Sequence, residues 1–302
     1  MEKYKVYLLL VLVMLAWGMN VVALKILVTN FAPVTMTAIR VFIAGLFVLL
    51  FLYATKQARH LSKKEFVFIT LVGLLNVVGH HVFLSLGLKQ TSASNGGLIL
   101  GMAPILTTIC AVLFLGTKLT FLRFLGVLFG FTGVVFIVLT RSGGVTTGAI
   151  GDLFVFLSLV TQAVSYVFIK KAATTLDARL MTGWMLVTGA FFLLLISFVI
   201  EPGGMQTMTQ GSAGVWAIFF GSALIATAFG HMMYNQAVQH IGAAEAAIFG
   251  NLNPFFALLS SAIFLNEAIR TEQLLAFLLI VAGVLMGSGI MERRKAKATV
   301  QA

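Results

Sequence analysis

Apolar residues run along this chain in blocks of about 20, the length a helix needs to cross the hydrocarbon core of a bilayer. Short polar connections separate the blocks. The pattern predicts helical spans over 6–28, 33–55, 66–88, 92–115, 121–140, 149–170, 179–200, 214–238, 243–265 and 271–291. The longest connections are a Gly- and Thr-rich turn over 141–149 and the segment 201–213. The fold class predicted is an all-α polytopic membrane protein with ten transmembrane helices.

Part of the pattern returns. Residues 93–134 align without a gap on 243–284, 150 positions later. Ala93, Pro104, Phe114, Leu115, Leu125, Leu128, Gly133 and Val134 meet Ala243, Pro254, Phe264, Leu265, Leu275, Leu278, Gly283 and Val284. Leu and Val matches carry little weight in so apolar a chain, but it holds only 4 prolines and two of them coincide. The same offset pairs His81 with His231. Such repetition predicts two units, residues 1–145 and 146–302, each of five spans. An odd number of spans makes the second unit enter the bilayer from the opposite side. The repeats are therefore expected to be inverted, as in many secondary transporters.

Composition agrees with a membrane solvent. Hydrophobic residues make up 60% and charged residues 10% of the chain, and the mean hydropathy is +1.05, which leaves too little polar surface for a soluble domain. The net charge of +11 would suit a nucleic-acid partner, but the basic residues cluster between spans, where the positive-inside rule accounts for them. No nucleic acid is expected. Of the 20 Lys and Arg, 15 fall on one side, 4 (Lys25, Lys89, Arg141 and Arg270) on the other, and Arg40 within a span. Both termini are thus predicted to be cytoplasmic, in a multi-pass protein with the lipid bilayer as its partner. Cys110, the single cysteine, lies inside an apolar block, so neither a disulfide framework nor a Cys-based metal site is expected. The first block follows Lys3 and Lys5 as in a signal peptide, but it is about 20 residues long and lacks a small-residue cleavage site. It reads as an uncleaved span.

Polar residues inside spans are costly to expose to lipid and are the candidates for function. Trp17 and Asn20 share a face of span 1, either for an interhelical hydrogen bond or as a cavity wall. Lys25, near the outer end of that span, reads as an interfacial anchor. A mid-bilayer Arg costs roughly 2.5–3.5 kcal/mol on insertion scales, so Arg40 must face protein or water. It suits one anionic group, such as a substrate carboxylate, or is structural and bonded to carbonyls. The corresponding part of span 7 offers Trp184 and no cation. His81 and Ser85 share a face of span 3, and His231 and Asn235 a face of span 8. Asn76 and His80 form a second stripe about 100° round, and only one stripe can point squarely into a cavity.

Imidazoles titrating at about 6.5 would serve proton coupling, which singles out His81 and His231. A buried Glu245 would serve it too, although that carboxylate also suits the positive end of its helix dipole. Tyr166, Trp184 and Tyr234 either line a cavity for aromatic or amphipathic solutes or pack and anchor helices. Pro104 and Pro254 each remove one helical hydrogen bond, freeing the carbonyls of Leu100 and Gly250 and predicting a kink that a gate would use. Gly126, Gly130, Gly133, Gly283 and Gly287 read first as close helix contacts and second as contacts of a homodimer.

Several of these residues fall in a familiar order. Trp17-Gly18-x-Asn20-x-Val22-Ala23-x-Lys25 in span 1, Pro33 with Arg40 in span 2, the repeated proline and Leu265-Asn266-Glu267 before the last span resemble the EamA family of the drug/metabolite transporter superfamily. The resemblance covers nearly the whole chain. It implies a cytoplasmic-membrane carrier, often an exporter of amino acids, related metabolites or toxic compounds, with a central cavity between the repeats. The first repeat departs from the pattern, with Gly116-Thr117-Lys118 where the second has Asn266-Glu267-Ala268, so a role for Glu267 does not carry over to both halves.

Other classes fit less well. No phosphate-binding Gly-x-x-x-x-Gly-Lys-Ser/Thr motif occurs, so ATP is not the direct energy source, and no cofactor or metal is implied. An intramembrane enzyme would need a nucleophile elbow, a His-Glu-x-x-His motif or paired membrane aspartates, and none is present. A passive channel is disfavoured by the inverted repeat. The expected function is secondary transport of a small-molecule substrate by alternating access, with export expected on resemblance and proton coupling or exchange as the driving force.

Overall fold

The computed structural model describes residues 3–116, 119–139, 147–172, 176–241, 249–250 and 252–287. They form α1 (Lys3–Asn30), α2 (Pro33–Ala54), α3 (Lys63–Gly73), α4 (His80–Gln90), α5 (Ala93–Leu100), α6 (Ala103–Leu115), α7 (Phe121–Leu139), α8 (Thr147–Ala172), α9 (Ala178–Ile200), the short α10 (Gly204–Thr207), α11 (Ala213–Gly221), α12 (Gly230–Ile241), α13 (Leu252–Leu265) and α14 (Thr271–Gly287). No strand occurs among the described residues. Seven helical stretches are long and apolar enough to cross a membrane, and the shorter apolar helices Phe121–Phe136, Leu252–Leu265 and Thr271–Met286 fall at the other three expected spans. The chain is an all-α polytopic membrane protein.

Helix ends follow local chemistry. Ser62 caps α3 in a capping box, its hydroxyl accepting from the Glu65 amide while the Glu65 carboxylate accepts from the Ser62 amide. Ser92 caps α5 and Ser212 caps α11, each accepting from the amide three residues on. Pro33 opens α2, where its missing N–H is harmless.

Several features recur at the 150-residue offset. Ser62 and Ser212 are both N-caps. Spans 3 and 8 both pass into a π-helical turn, over Leu74–Gly79 and Ser222–Phe229, before continuing as α4 and α12. Gly116 (φ 64°) and Asn266 (φ 53°) both follow a helix end in the left-handed region, which Gly and Asn tolerate best. The repeat is therefore structural as well as sequential.

The apolar side chains pack into two main cores, and neither belongs to one repeat. The first joins the α1 face Val21–Val22–Leu24–Leu27–Val28 with residues of α4, α5, α6, α8, α13 and α14. In the second, the α2 stripe Val34, Ala38, Val41, Ala44, Val48 and Leu52 packs on Leu180, Met181, Met185, Leu186, Ala190 and Leu193 of α9. Span 8 passes from the first core to the second along its length, and span 3 passes from the second core to a place between both, where Val82 and Leu86 still pack against the second. Ile69 and Val72 of α3, and Met232 of α12, lie in the second core; Leu84 and Leu88 of α4, and Phe219 of α11, lie in the first. The π turns sit at these changes of contact.

Carboxylates fasten the two repeats to each other within these cores. Glu201, following α9, accepts from the amides of Val34 (3.0 Å) and Thr35 (2.8 Å) at the start of α2. Glu267, following α13, accepts from the amides of Ala93 and Ser94, both at 2.9 Å, at the start of α5. The positive ends of both helices attract the negative charge. Glycines allow close approach elsewhere: a Cβ on Gly283 would lie 2.7 Å from the carbonyl of Gly126 and the amide of Gly130, so the glycines of α7 and α14 make contact within the chain.

Candidate functional site

Arg40 lies in α2 with 1% of its surface exposed. Its Nη1 donates to Thr227 Oγ1 (2.8 Å) and Ser222 Oγ (3.2 Å), both in the π turn of span 8. A π turn leaves carbonyls for other donors, and side chains take them here. Thr227 Oγ1 donates to the Ser222 carbonyl (2.9 Å), and Trp17 Nε1 donates to the Ala226 carbonyl (2.9 Å). His231 Nδ1 lies 2.7 Å from the Thr227 carbonyl. Ser222 Oγ in turn donates to Asn20 Oδ1 at 2.6 Å. The Trp17 ring packs on His231 and Tyr234, with centroids 5.2 and 5.3 Å away. A Cβ on Gly230 would stand 2.6 Å from Trp17 Nε1, so only glycine admits the indole there.

The network thus joins Trp17, Asn20, Arg40, His231 and Tyr234, five of the residues expected to surround a cavity. The two stripes of span 3 separate. His80 turns to span 6, its Nδ1 3.0 Å from the Ser158 carbonyl, and Asn76 donates to Ser165 Oγ at 2.8 Å. His81 and Ser85 instead line a narrow crevice with Leu24, Val28, Thr37, Arg40, Leu84 and Leu88. The crevice is tightly closed. Two atoms buried beside it have no hydrogen-bond partner, Thr37 Oγ1 and Arg40 Nε. Burying unpartnered polar groups is costly, so both await a donor or acceptor from elsewhere.

Other expected site residues are placed differently. Tyr166 is 37% exposed. Trp184 stands apart, its ring edge-on to Phe66 with centroids 5.6 Å away. The Asn235 side chain and Glu245 lie outside the described residues. Asn95, at the position in the first repeat matching Glu245, accepts from Gln273 Nε2 at 2.8 Å. Pro104 opens α6 just past the break at Gly101 and Met102, and Pro254 opens α13. The Gly250 carbonyl freed by Pro254 is taken by the amide of Asn253 at 3.1 Å. Pro254 lies where spans 4 and 9 meet: a Cβ on Gly101 would be 2.9 Å from Pro254 Cγ. Lys25, expected as an interfacial anchor, donates to the carbonyls of Thr91 (2.6 Å) and Leu88 (2.7 Å) at the end of span 3. Thr37, Ser222 and Thr227 escaped sequence reasoning because single hydroxyls in apolar helices carry no signature. The five-residue spacing of Ser222 and Thr227 is meaningful only once the helix is known to be π.

Two interlocked helical repeats around buried polar groups define a polytopic membrane transporter. The model of the EamA-like transporter family matches residues 4–139 and again 149–288. The chain belongs to the EamA-like transporter family, within the drug/metabolite transporter superfamily. It is 28% identical over 297 residues to the uncharacterized transporter YyaM of Bacillus subtilis, covering 96% of each chain. It is 26% identical to the WAT1-related protein At3g02690, chloroplastic, of Arabidopsis thaliana, covering 85% of this chain and 63% of that one. A solved crystal structure shares the fold with a TM-score of 0.64 at 18% identity, covering 96% of this chain and 98% of that one.

Proposed function

We propose that the protein is a secondary transporter that exports small organic solutes by alternating access around Arg40, with both termini in the cytoplasm. The observation that carries this is that spans 3 and 8 change their core contacts at π turns, span 8 passing from the first core to the second and span 3 gaining the first while Val82 and Leu86 stay on the second. Mid-helix π turns are common where a helix must flex at a functional site. The two cores, rather than the two sequence repeats, are the bodies that rock, because each core is built from both repeats. The polar network and the crevice lie where the bodies meet, so rocking opens the site to one side or the other. His81 and His231 carry the coupled proton, one in the crevice and one in the network.

Reconstitution into proteoliposomes tests this. A carrier gives saturable flux and counterflow accelerated by solute on the far side. Flux that neither saturates nor shows counterflow would instead mean a channel, and consumption of solute without movement an enzyme. Overproduction in cells should raise tolerance to the transported solute if the direction is export. Proton-driven flux that survives combined loss of His81, His231 and Glu245 would remove them from coupling.

A further inference from the structure

We infer that the substrate is a small aliphatic monocarboxylate, its carboxylate on Arg40 and Thr37 and its tail against Leu24, Val28, Leu84 and Leu88. Its physiological meaning rests on the transport reading above, but the binding does not. A guanidinium has five donors in a fixed plane. Both Nη1 hydrogens are engaged by the Ser222 and Thr227 hydroxyls, and Nε has no partner. The edge left over, formed by Nε and Nη2, is one that pairs with a carboxylate through two parallel hydrogen bonds. Both engaged hydroxyls are neutral, and among the described residues no carboxylate lies within ion-pair distance of Arg40. The charge is held by dipoles and lacks a counter-ion, which a substrate anion supplies.

Thr37 lies one helical turn before Arg40 on the same face of α2. Its hydroxyl is 1% exposed and unpartnered, and it borders the same crevice. It supplies a further donor to the carboxylate. The remaining lining narrows the class. Leu24, Val28, Leu84 and Leu88 are all members of the first apolar core, and His81 and Ser85 add a polar edge. Against those four aliphatic side chains, where the tail lies, a second anionic group would be desolvated at high cost, which disfavours dicarboxylates and phosphate esters there. Among the described residues no Phe, Tyr or Trp lines the crevice, so an aliphatic tail matches it better than an aromatic one. The polar wall lies partly on α2 of the second core and the aliphatic wall on the first. One bound molecule therefore bridges both moving bodies.

The test is binding to the purified full chain in lipid nanodiscs, by calorimetry, of 4-methylpentanoate and leucine, each against its carboxamide, with phenylacetate and glutarate as shape and charge controls. At least one aliphatic acid should bind, and its amide should bind about tenfold or more weakly, the worth of a lost charge-assisted hydrogen bond. Arg40→Gln should abolish acid binding, Arg40→Lys should weaken it without restoring the fork, and Thr37→Val should weaken it several-fold. No acid binding, equal binding of acid and amide, glutarate or phenylacetate binding as well as the aliphatic acids, or Arg40→Gln binding like the parent would each overturn the inference. If Arg40→Gln does not fold, the acid and amide pair on the parent protein and the nearly isosteric Thr37→Val still decide. An acid that binds through Arg40 without counterflow would overturn the transport reading alone. Counterflow of solutes that carry no carboxylate would overturn this inference alone.

Discussion

Trp17 donates from its indole nitrogen to the main-chain carbonyl of Ala226, 2.9 Å away and 209 residues later in the chain. The bond ties span 1 of the first repeat to the π turn of span 8 in the second. Trp17→Phe keeps an aromatic ring against His231 and Tyr234 but leaves that carbonyl unpartnered. The loss should be about 1 kcal/mol, read as a lowered unfolding midpoint in detergent, and Trp17→Ala should lose more. Equal midpoints for Trp17→Phe and the parent would mean that the π turn does not depend on the indole.

Glu267→Ala removes the acceptor for the amides of Ala93 and Ser94, and Glu201→Ala does the same at Val34 and Thr35. Each should cost about 0.5–2 kcal/mol, as for loss of a helix cap. Because the two carboxylates serve different cores, the double variant should show the sum of the single effects to within about 0.5 kcal/mol. A larger coupling energy in the double-mutant cycle would join the two cores into one cooperative unit.

Gly97 is where the fourth span meets the ninth. A Cβ there would lie 2.3 Å from the Ala257 Cβ, with normal backbone geometry leaving sterics as the whole effect. Gly97→Ala should destabilise by about 1–3 kcal/mol, and Gly97→Ala combined with Ala257→Gly should recover most of that loss. Failure of the compensating change, measured by the same midpoints, would show that the helices move apart instead of clashing.

Asp177 caps α9 from outside the spans. Burial raises its carboxyl, but the Arg179 side chain and the amides of Leu180 and Arg179 outweigh that, and the group is held below the usual aspartate range. A depressed value in the folded state adds stability above the unfolded value of about 3.9, and the contribution fades as pH falls through the folded value. Asp177→Ala should therefore lower the unfolding midpoint at pH 7 and leave it nearer the parent's at pH 3. A gap between the two proteins that does not narrow in acid would assign the cap no ionic component.

The spans were legible because the solvent imposes them: a block of apolar residues long enough to cross has few other uses. Pro33 opens α2 where its span was expected to begin. The site was legible only as a set of costly residues. Arg40 and His81 fall in one crevice, but the partners of Arg40 are two hydroxyls that no pattern distinguishes from packing. Helical-wheel reasoning also assumed an unbroken α-helix through Asn76, His80 and His81. The π turn over Leu74–Gly79 changes the rotation between those positions, so the choice between the two stripes had to come from coordinates. The split into two cores was hidden for a related reason. Sequence repetition reports ancestry, whereas packing reports which surfaces meet, and here each unit gives helices to both bodies.

The carboxylates of Glu201 and Glu267 draw their positive partners from peptide groups. The positive-inside expectation puts those amides on the side with only four of the chain's basic residues. Had each acid been matched by a lysine or arginine, that side would carry a heavier load of the residues that decide which way a nascent chain inserts. A backbone N–H neutralises without entering that tally. The protein can thereby strengthen its sparsely charged face electrostatically while the signal that orients it in the membrane stays unambiguous.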